Sequence, residues 1–454
     1  MIRYLKNYIS NFFKGHERSV KAKKNIIASF FITGVSIVIS FLMVRVNLLY
    51  LDQTKYGVWL TISSFLTWFS FFEIGLGSGL KNKLAEALAV KDYQLGKIYV
   101  STTYAILSIV IGAVALLFFI ANRFIDWTII LNTDKNMSNE LSTLALIVFG
   151  FFFLRFVVKL IGIVLYADQR PALAKSFGPI ANLIALIIIY ILTKTTNGSL
   201  IYLGWTLSVT PVIVLIAASF YLYFSDYRSI APSFGSVKFS YSKQLLNLGI
   251  RFFFIQISGL IIYQSSNIII TQFFGPDDVT VYNIAYKYFA VLSMLFSIIT
   301  IPFWSAFTEA WVLKDIRWIK LAIKKLMVMW GIISFIGIIM LLFSAIFYKI
   351  WIGDKVHIPF NLSLILLIYF VTYNFGGAFN MFINGVGKIK LQMYSSLVGS
   401  LLFIIVAVFS IKYLNIGIIG IVVASIISNF YGVILAPIQY KKIINLRDRN
   451  IWSR

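Results

Sequence analysis

The chain contains no cysteine, which excludes disulfides, thiolate catalysis and cysteine-based metal sites. Histidine is nearly as scarce. His16 and His357 are the only two and lie in separate polar segments, so no histidine-centred metal or catalytic cluster is expected. No cofactor is called for either. Acids are few, 16 Asp and Glu against 40 Lys and Arg, and charged residues together make only 12% of the chain. What fills the remaining sequence is apolar: 60% of 454 residues are hydrophobic. A soluble domain of that size has no use for so much apolar surface, so the fold class is an all-α polytopic membrane protein.

Twelve apolar segments stand out, roughly 25–50, 58–80, 99–121, 141–166, 174–193, 201–224, 247–271, 284–308, 326–350, 361–383, 393–412 and 416–438. Pro179, Pro211 and Pro302 fall inside spans and are read as kinks or pivots, and Pro437 falls at the end of the last. A full-length span follows the basic N-terminus, so a cleaved signal peptide is not expected. In residues 1–24, Leu5, Tyr8, Ile9, Phe12 and Phe13 share one helical face, which reads as an amphipathic cytoplasmic helix or a basic tail beside lipid head groups.

The net charge of +24 raises nucleic acid as a partner, but the positions of the charges argue for topology instead. Lys and Arg crowd the N-terminal tail, the loops after spans two, four, eight and ten, the central connection and the C-terminus. Lys175 is counted in the loop after the fourth span. The opposite loops carry scattered cations. By the positive-inside rule both termini face the cytoplasm, and no nucleic-acid partner is expected.

An internal echo divides the chain. Ala85-Glu86-Ala87-Leu88-Ala89-Val90-Lys91-Asp92 follows the second span, and Thr308-Glu309-Ala310-Trp311-Val312-Leu313-Lys314-Asp315 follows the eighth. Six spans separate them, so a duplication would give two six-helix bundles of the same orientation. The expected organisation is 25–224 and 247–440 as bundles, 225–246 as a cytoplasmic linker and 441–454 as a basic cytoplasmic tail.

The few ionisable residues inside spans are the candidate site. Leu141–Tyr166 is apolar except for Ser142, Thr143, Arg155 and Lys159. Arg155 lies about 20 Å along it, and Lys159 is one turn further on the same face. A cation at that depth costs about 2.5–3.5 kcal/mol on insertion scales. The pair is read as a fixed positive patch in a cavity awaiting an anion. Arg45, Arg251 and Lys287 are further cations that either line the cavity or snorkel to head groups, with Lys287 placed near the outer end of its span. Glu73 is either an ion-pair partner of Lys159 or a coupling site for protons or cations. Gln256, Tyr263 and Asn267 give the seventh span a polar face, either for helix–helix hydrogen bonds or for the cavity.

Family resemblance enters through Tyr56-Gly57-Val58-Trp59-Leu60, the run Glu73-Ile74-Gly75-Leu76-Gly77-Ser78-Gly79-Leu80-Lys81-Asn82, Gly275-Pro276-Asp277-Asp278-Val279 with Tyr282, Pro302-Phe303-Trp304-Ser305-Ala306-Phe307-Thr308-Glu309-Ala310, and Asn384-Gly385-Val386-Gly387-Lys388. These resemble the Wzx-type polysaccharide flippases of the multidrug/oligosaccharidyl-lipid/polysaccharide exporter superfamily. The resemblance implies two six-helix lobes in a V, like the MATE transporters, around a central lumen that Arg155 and Lys159 would face. It implies transport, not enzymatic catalysis: movement of undecaprenyl-pyrophosphate-linked oligosaccharide across the bacterial cytoplasmic membrane for O-antigen or capsule synthesis. Membrane lipids, a polysaccharide polymerase and a chain-length regulator are the further partners it implies. A drug or cation antiporter on the same fold is the alternative, and it would favour intramembrane acids. A membrane glycosyltransferase or ligase would need catalytic groups on sizeable loops, and these loops are short.

Overall fold

The computed structural model describes residues 17–70, 73–242, 264–445 and 452. In chain order the helices are α1 (Glu17–Tyr50), α2 (Gln53–Ser70), α3 (Glu73–Ala89), α4 (Tyr93–Ala121), α5 (Trp127–Leu131), α6 (Ser138–Val158), α7 (Leu160–Ala167), α8 (Pro171–Thr195) and α9 (Leu200–Phe224). They continue as α10 (264–274), α11 (Pro276–Val312), α12 (Ile316–Leu342), α13 (Ser344–Ile352), α14 (Phe360–Val386), α15 (Lys390–Lys412), α16 (Ile419–Ser428) and α17 (Ala436–Ile444). No strand occurs among the described residues. In hydrocarbon every backbone polar group must find an internal partner, and a helix supplies those partners within one segment.

Among the described residues nine helical segments are long and apolar enough to cross a bilayer, and the count is ten if Ile419–Ser428 and Tyr431–Ile444, bent by 41°, are taken as one span. The chain is an all-α, multi-pass membrane protein. The expected second and seventh spans run through 71–72 and 243–263, which lie outside the described residues. Just after the bend comes a π-helical turn, Tyr431–Leu435, followed by Pro437 in the first turn of α17. The helices containing Pro179, Pro211 and Pro302 run on through them without a break.

Helix starts follow local chemistry. Asp92, Asp126, Ser199 and Asp315 accept hydrogen bonds from amides of the first turn that would otherwise lack an acceptor. Pro171 opens α8, where its missing N–H costs nothing.

By contact the chain forms two compact units, one of Met1–Tyr50, Phe72–Ile125 and Glu140–Ile250, the other of Leu51–Phe71, Asp126–Asn139 and Arg251–Arg454. Contact grouping concerns packing and the sequence echo concerns descent, so the two sequence-contiguous bundles remain a proposal. In the first unit α1 packs along α8, α8 along α9, and α3 against α4 and α7. The connection after α9 is pinned to α4: Ser233 N donates to Ser101 Oγ and Lys238 N to Thr102 Oγ1, each at 3.0 Å, and the Tyr99 and Tyr241 rings meet edge to face.

In the second unit α11 packs against α2, α12 and α14. The start of α2 is tied to the start of α11. Thr54 Oγ1 donates to Asp277 Oδ1 at 2.6 Å, Gln53 Nε2 donates to Asp277 O at 3.1 Å, and Thr280 Oγ1 donates to Gln53 O at 2.8 Å. A Cβ on Gly57 would fall onto the Pro276 carbonyl oxygen, so only glycine lets these two backbones approach so closely. Two of the sequence motifs that carried the resemblance, Tyr56-Gly57 and Gly275-Pro276-Asp277, therefore meet as one packing feature.

Candidate functional site

Helices α6 and α7 make one span, Lys135–Ala167, interrupted at Lys159. The Lys159 amide donates to Arg155 O at 3.0 Å. The Gly162 amide reaches back only three residues, to Lys159 O at 2.9 Å, which tightens the turn locally. The span has two faces. Val148, Phe149, Phe153, Phe156 and Leu160 are buried, and Phe118 stacks on Phe149 with ring centres 4.3 Å apart. On the other face Arg155, Lys159, Gly162, Ile163 and Tyr166 line a cavity of about 250 Å³. Their spacing is that of one helical stripe, about 16 Å long from Arg155 to Tyr166.

Two further helices close the cavity. Ala174, Lys175, Phe177 and Gly178 come from the start of α8, and Pro211 and Leu215 come from α9. All of these lining residues lie in the first unit. Three cations, Arg155, Lys159 and Lys175, therefore face one small space, and all three are exposed to it or to solvent. A fourth, Lys81, stands over the ring of Tyr166, 5.8 Å from its centre. No carboxylate is among the residues that line the cavity.

Two carboxylates sit nearby, at the turn between α7 and α8 and just past α9, and both are engaged. Arg170 Nε lies 3.0 Å from Asp168 Oδ2, and Arg170 Nη1 lies 2.5 Å from Asp226 Oδ2. Tyr227 Oη donates to Asp168 Oδ2 at 2.7 Å, and the Arg170 guanidinium lies 5.7 Å from the Tyr227 ring centre. Burial, and then the hydrogen bond to the Asp168 carboxylate, push the Tyr227 phenol above its ordinary range. The hydrogen bond to Asp226 raises the Arg170 guanidinium further. The cluster ties the ends of α7, α8 and α9 together at one end of the cavity.

Chemically the cavity suits an anion. Guanidinium and ammonium groups in a partly desolvated pocket bind phosphate oxygens by charge-assisted hydrogen bonds. Its volume is below the roughly 300–1,000 Å³ of pockets that enclose a drug-sized ligand, which fits a charged head group more than an extended chain. Groups of three or more His, Asp or Glu able to hold a metal do not occur among the described residues.

The family model described as polysaccharide biosynthesis protein matches residues 8–306, well over half of the chain. The chain belongs to that family. A Salmonella typhi protein named as an O-antigen transporter is 24% identical over 79% of this chain and 81% of its own length. A Yersinia pseudotuberculosis protein named for O-antigen export is 21% identical over 78% and 81%. Among solved structures, a MATE-family multidrug transporter of the MOP superfamily in an inward-facing conformation superposes with TM-score 0.75 at 13% identity, covering 93% of this chain and 98% of that one. A Pyrococcus furiosus MOP-superfamily transporter, described as having a binding pocket of reversed polarity, gives 0.62 at 15% identity over 94% and 97%. These structures establish a shared fold.

In this polysaccharide biosynthesis family member, the cavity brings together Arg155 and Lys159 from the residues singled out in sequence. Arg45 is exposed on α1 and is not among the lining residues. Glu73 opens α3, and its side chain lies outside the described residues, as do Arg251, Gln256 and Tyr263. Asn267, on α10, accepts a hydrogen bond from Asn283 Nδ2 at 2.8 Å, a helix–helix contact within the second unit. Helix α11 begins at Pro276, and Lys287 is half-buried about 16 Å along it.

Lys175 is the lining residue that sequence reasoning missed. The apolar segment begins at 174 and Lys175 is counted with the loop cations before it, but Pro171 starts the helix, and Lys175 and Gly178 then share a helical face one turn apart. The Pro at the first helical position was the available signal.

Proposed function

We propose that this protein is a flippase for undecaprenyl-pyrophosphate-linked oligosaccharide repeat units, moving them across the bacterial cytoplasmic membrane for O-antigen or capsule synthesis. The observation that carries the reading is the cavity with Arg155, Lys159 and Lys175 on its walls and no acid among the residues that line it. Family membership and relatives named for O-antigen transport support it. A pyrophosphate cannot cross hydrocarbon unaided, because its charge would be stripped of water without replacement. The cavity cations replace that hydration while the polyprenyl tail stays in the bilayer.

In this reading both termini are cytoplasmic, so the Tyr166–Lys175 end of the cavity is its cytoplasmic end and Arg155 lies deepest. Arg251, Arg45 and Lys287 would take the anion at other depths, with Glu73 as coupling or ion-pair residue and Gln256, Tyr263 and Asn267 as a polar face. Transport proceeds by alternating access, with one bundle rocking against the other. A polysaccharide polymerase and a chain-length regulator act on the delivered unit.

The test is a double variant, Arg155→Ala with Lys159→Ala, expected to accumulate cytoplasm-facing lipid-linked repeat units. Normal surface polysaccharide from a stably inserted double variant would overturn the site assignment. A second reading, a drug or cation antiporter, draws on the fold shared with MATE transporters. The cationic lining argues against it, since like charges in the cavity repel a cationic cargo. Resistance to cationic drugs on overexpression would favour it instead.

A further inference from the structure

The Arg170 cluster contributes no residue to the lining of the cavity. Lys175 is exposed, lines the cavity and makes no ion pair among the described residues. It stands about 6 Å along the axis of α8 from Pro171, and Asp168 and Arg170 immediately precede that helix. A released carboxylate here would be drawn toward the positive N-terminal end of α8 and toward the flexible Lys175 ammonium. Being part of the same molecule, it would compete with any ligand anion at high effective concentration.

In the structure neither carboxylate is released. One arm of Arg170 holds Asp168 and another holds Asp226, while the Tyr227 hydroxyl donates to the same Asp168 oxygen. We propose that Arg170 is a specificity-determining residue that acts at a distance from the ligand: by sequestering Asp168 and Asp226 it keeps them off Lys175 and leaves this end of the cavity positive for an anionic head group. The inference rests on the anion-binding reading of the same cavity. It assigns the Asp168–Arg170–Asp226–Tyr227 cluster an electrostatic function beyond clasping three helix ends.

A clasp and a sequestering device respond differently when the acids are removed. The experiment measures binding of inorganic pyrophosphate to the purified full-length protein by calorimetry, with thermal unfolding of each variant alongside. Asp168→Asn with Asp226→Asn, keeping Arg170, is expected to bind as tightly as wild type or several-fold tighter, because it removes the competitors. Arg170→Ala is expected to bind about tenfold more weakly, and adding the two Asn substitutions to it is expected to restore binding to within about threefold of wild type.

If the double Asn variant folds but binds more weakly than wild type, or if the triple variant stays as weak as Arg170→Ala, the cluster is only a clasp and the inference falls. The same holds if Arg170→Ala binds like wild type. Should the wild-type protein itself fail to bind pyrophosphate, the anion-binding reading falls and this inference with it. Should wild type bind, and Arg155→Ala with Lys159→Ala abolish binding while every cluster variant matches wild type, this inference alone is lost.

Discussion

Asp92 and Asp315 cap their helices in the same way, in the two echoed motifs. Asp92 Oδ1 accepts from Leu95 N and Asp315 Oδ1 from Trp318 N, each at 2.9 Å. The residues before them, Lys91 and Lys314, are both left-handed, with φ of 59° and 56°. The preceding turns match bond for bond: Asp92 N to Ala87 O and Asp315 N to Ala310 O, Lys91 N to Leu88 O and Lys314 N to Trp311 O. A short sequence match thus becomes a shared three-dimensional turn, which supports the duplication. Asp92→Ala and Asp315→Ala are each expected to cost about 1 kcal/mol, and the pair to be additive, by denaturant unfolding in detergent. A negligible loss at both sites would remove the caps from the account of why the motif recurs.

Gly57→Ala is expected to be far more damaging than an exposed substitution. The new methyl group would lie on the Pro276 carbonyl, and backbone cannot yield as a side chain can. A loss of about 3 kcal/mol, or failure to accumulate in the membrane, is expected. A variant of wild-type thermal stability would show that α2 and α11 can separate at little cost.

Lys175 supplies a graded test of the cavity. Lys175→Arg is expected to retain most transport, Lys175→Ala to lose about tenfold, and Lys175→Glu to lose more, because it places an anion where the cargo's anion must pass. The measurement is the rate at which lipid-linked repeat units become accessible from the outer face. Equal rates for the Arg and Glu variants would exclude an electrostatic role for this position.

Asp126 gives a pH signature outside the membrane spans. Hydrogen bonds from the Thr128 hydroxyl and amide hold its carboxyl below the usual carboxylate range. The folded state thus favours the ionised form. Its contribution is fully present above the ordinary value of 3.8 and fades as pH falls below it. Exchange of the Thr128 amide with solvent is expected to quicken over that window, and Asp126→Asn to flatten the dependence. A pH-independent exchange rate in wild type would contradict the capping role.

The fold class and nine of the twelve expected spans were legible in the chain by itself, because hydropathy is a property of some twenty consecutive residues and needs no knowledge of neighbours. The common face of Arg155 and Lys159 was legible for the same reason: it follows from helical period alone, and both line one cavity. Only the tertiary structure decided which other helices share their cavity. It placed Lys175 in the lining and used Arg170 to engage two acids from separate helix ends. It also joined Tyr56-Gly57 to Gly275-Pro276-Asp277 as one close backbone crossing. Such relations depend on how helix faces pack against each other, and local periodicity carries no information about the partner a face will meet.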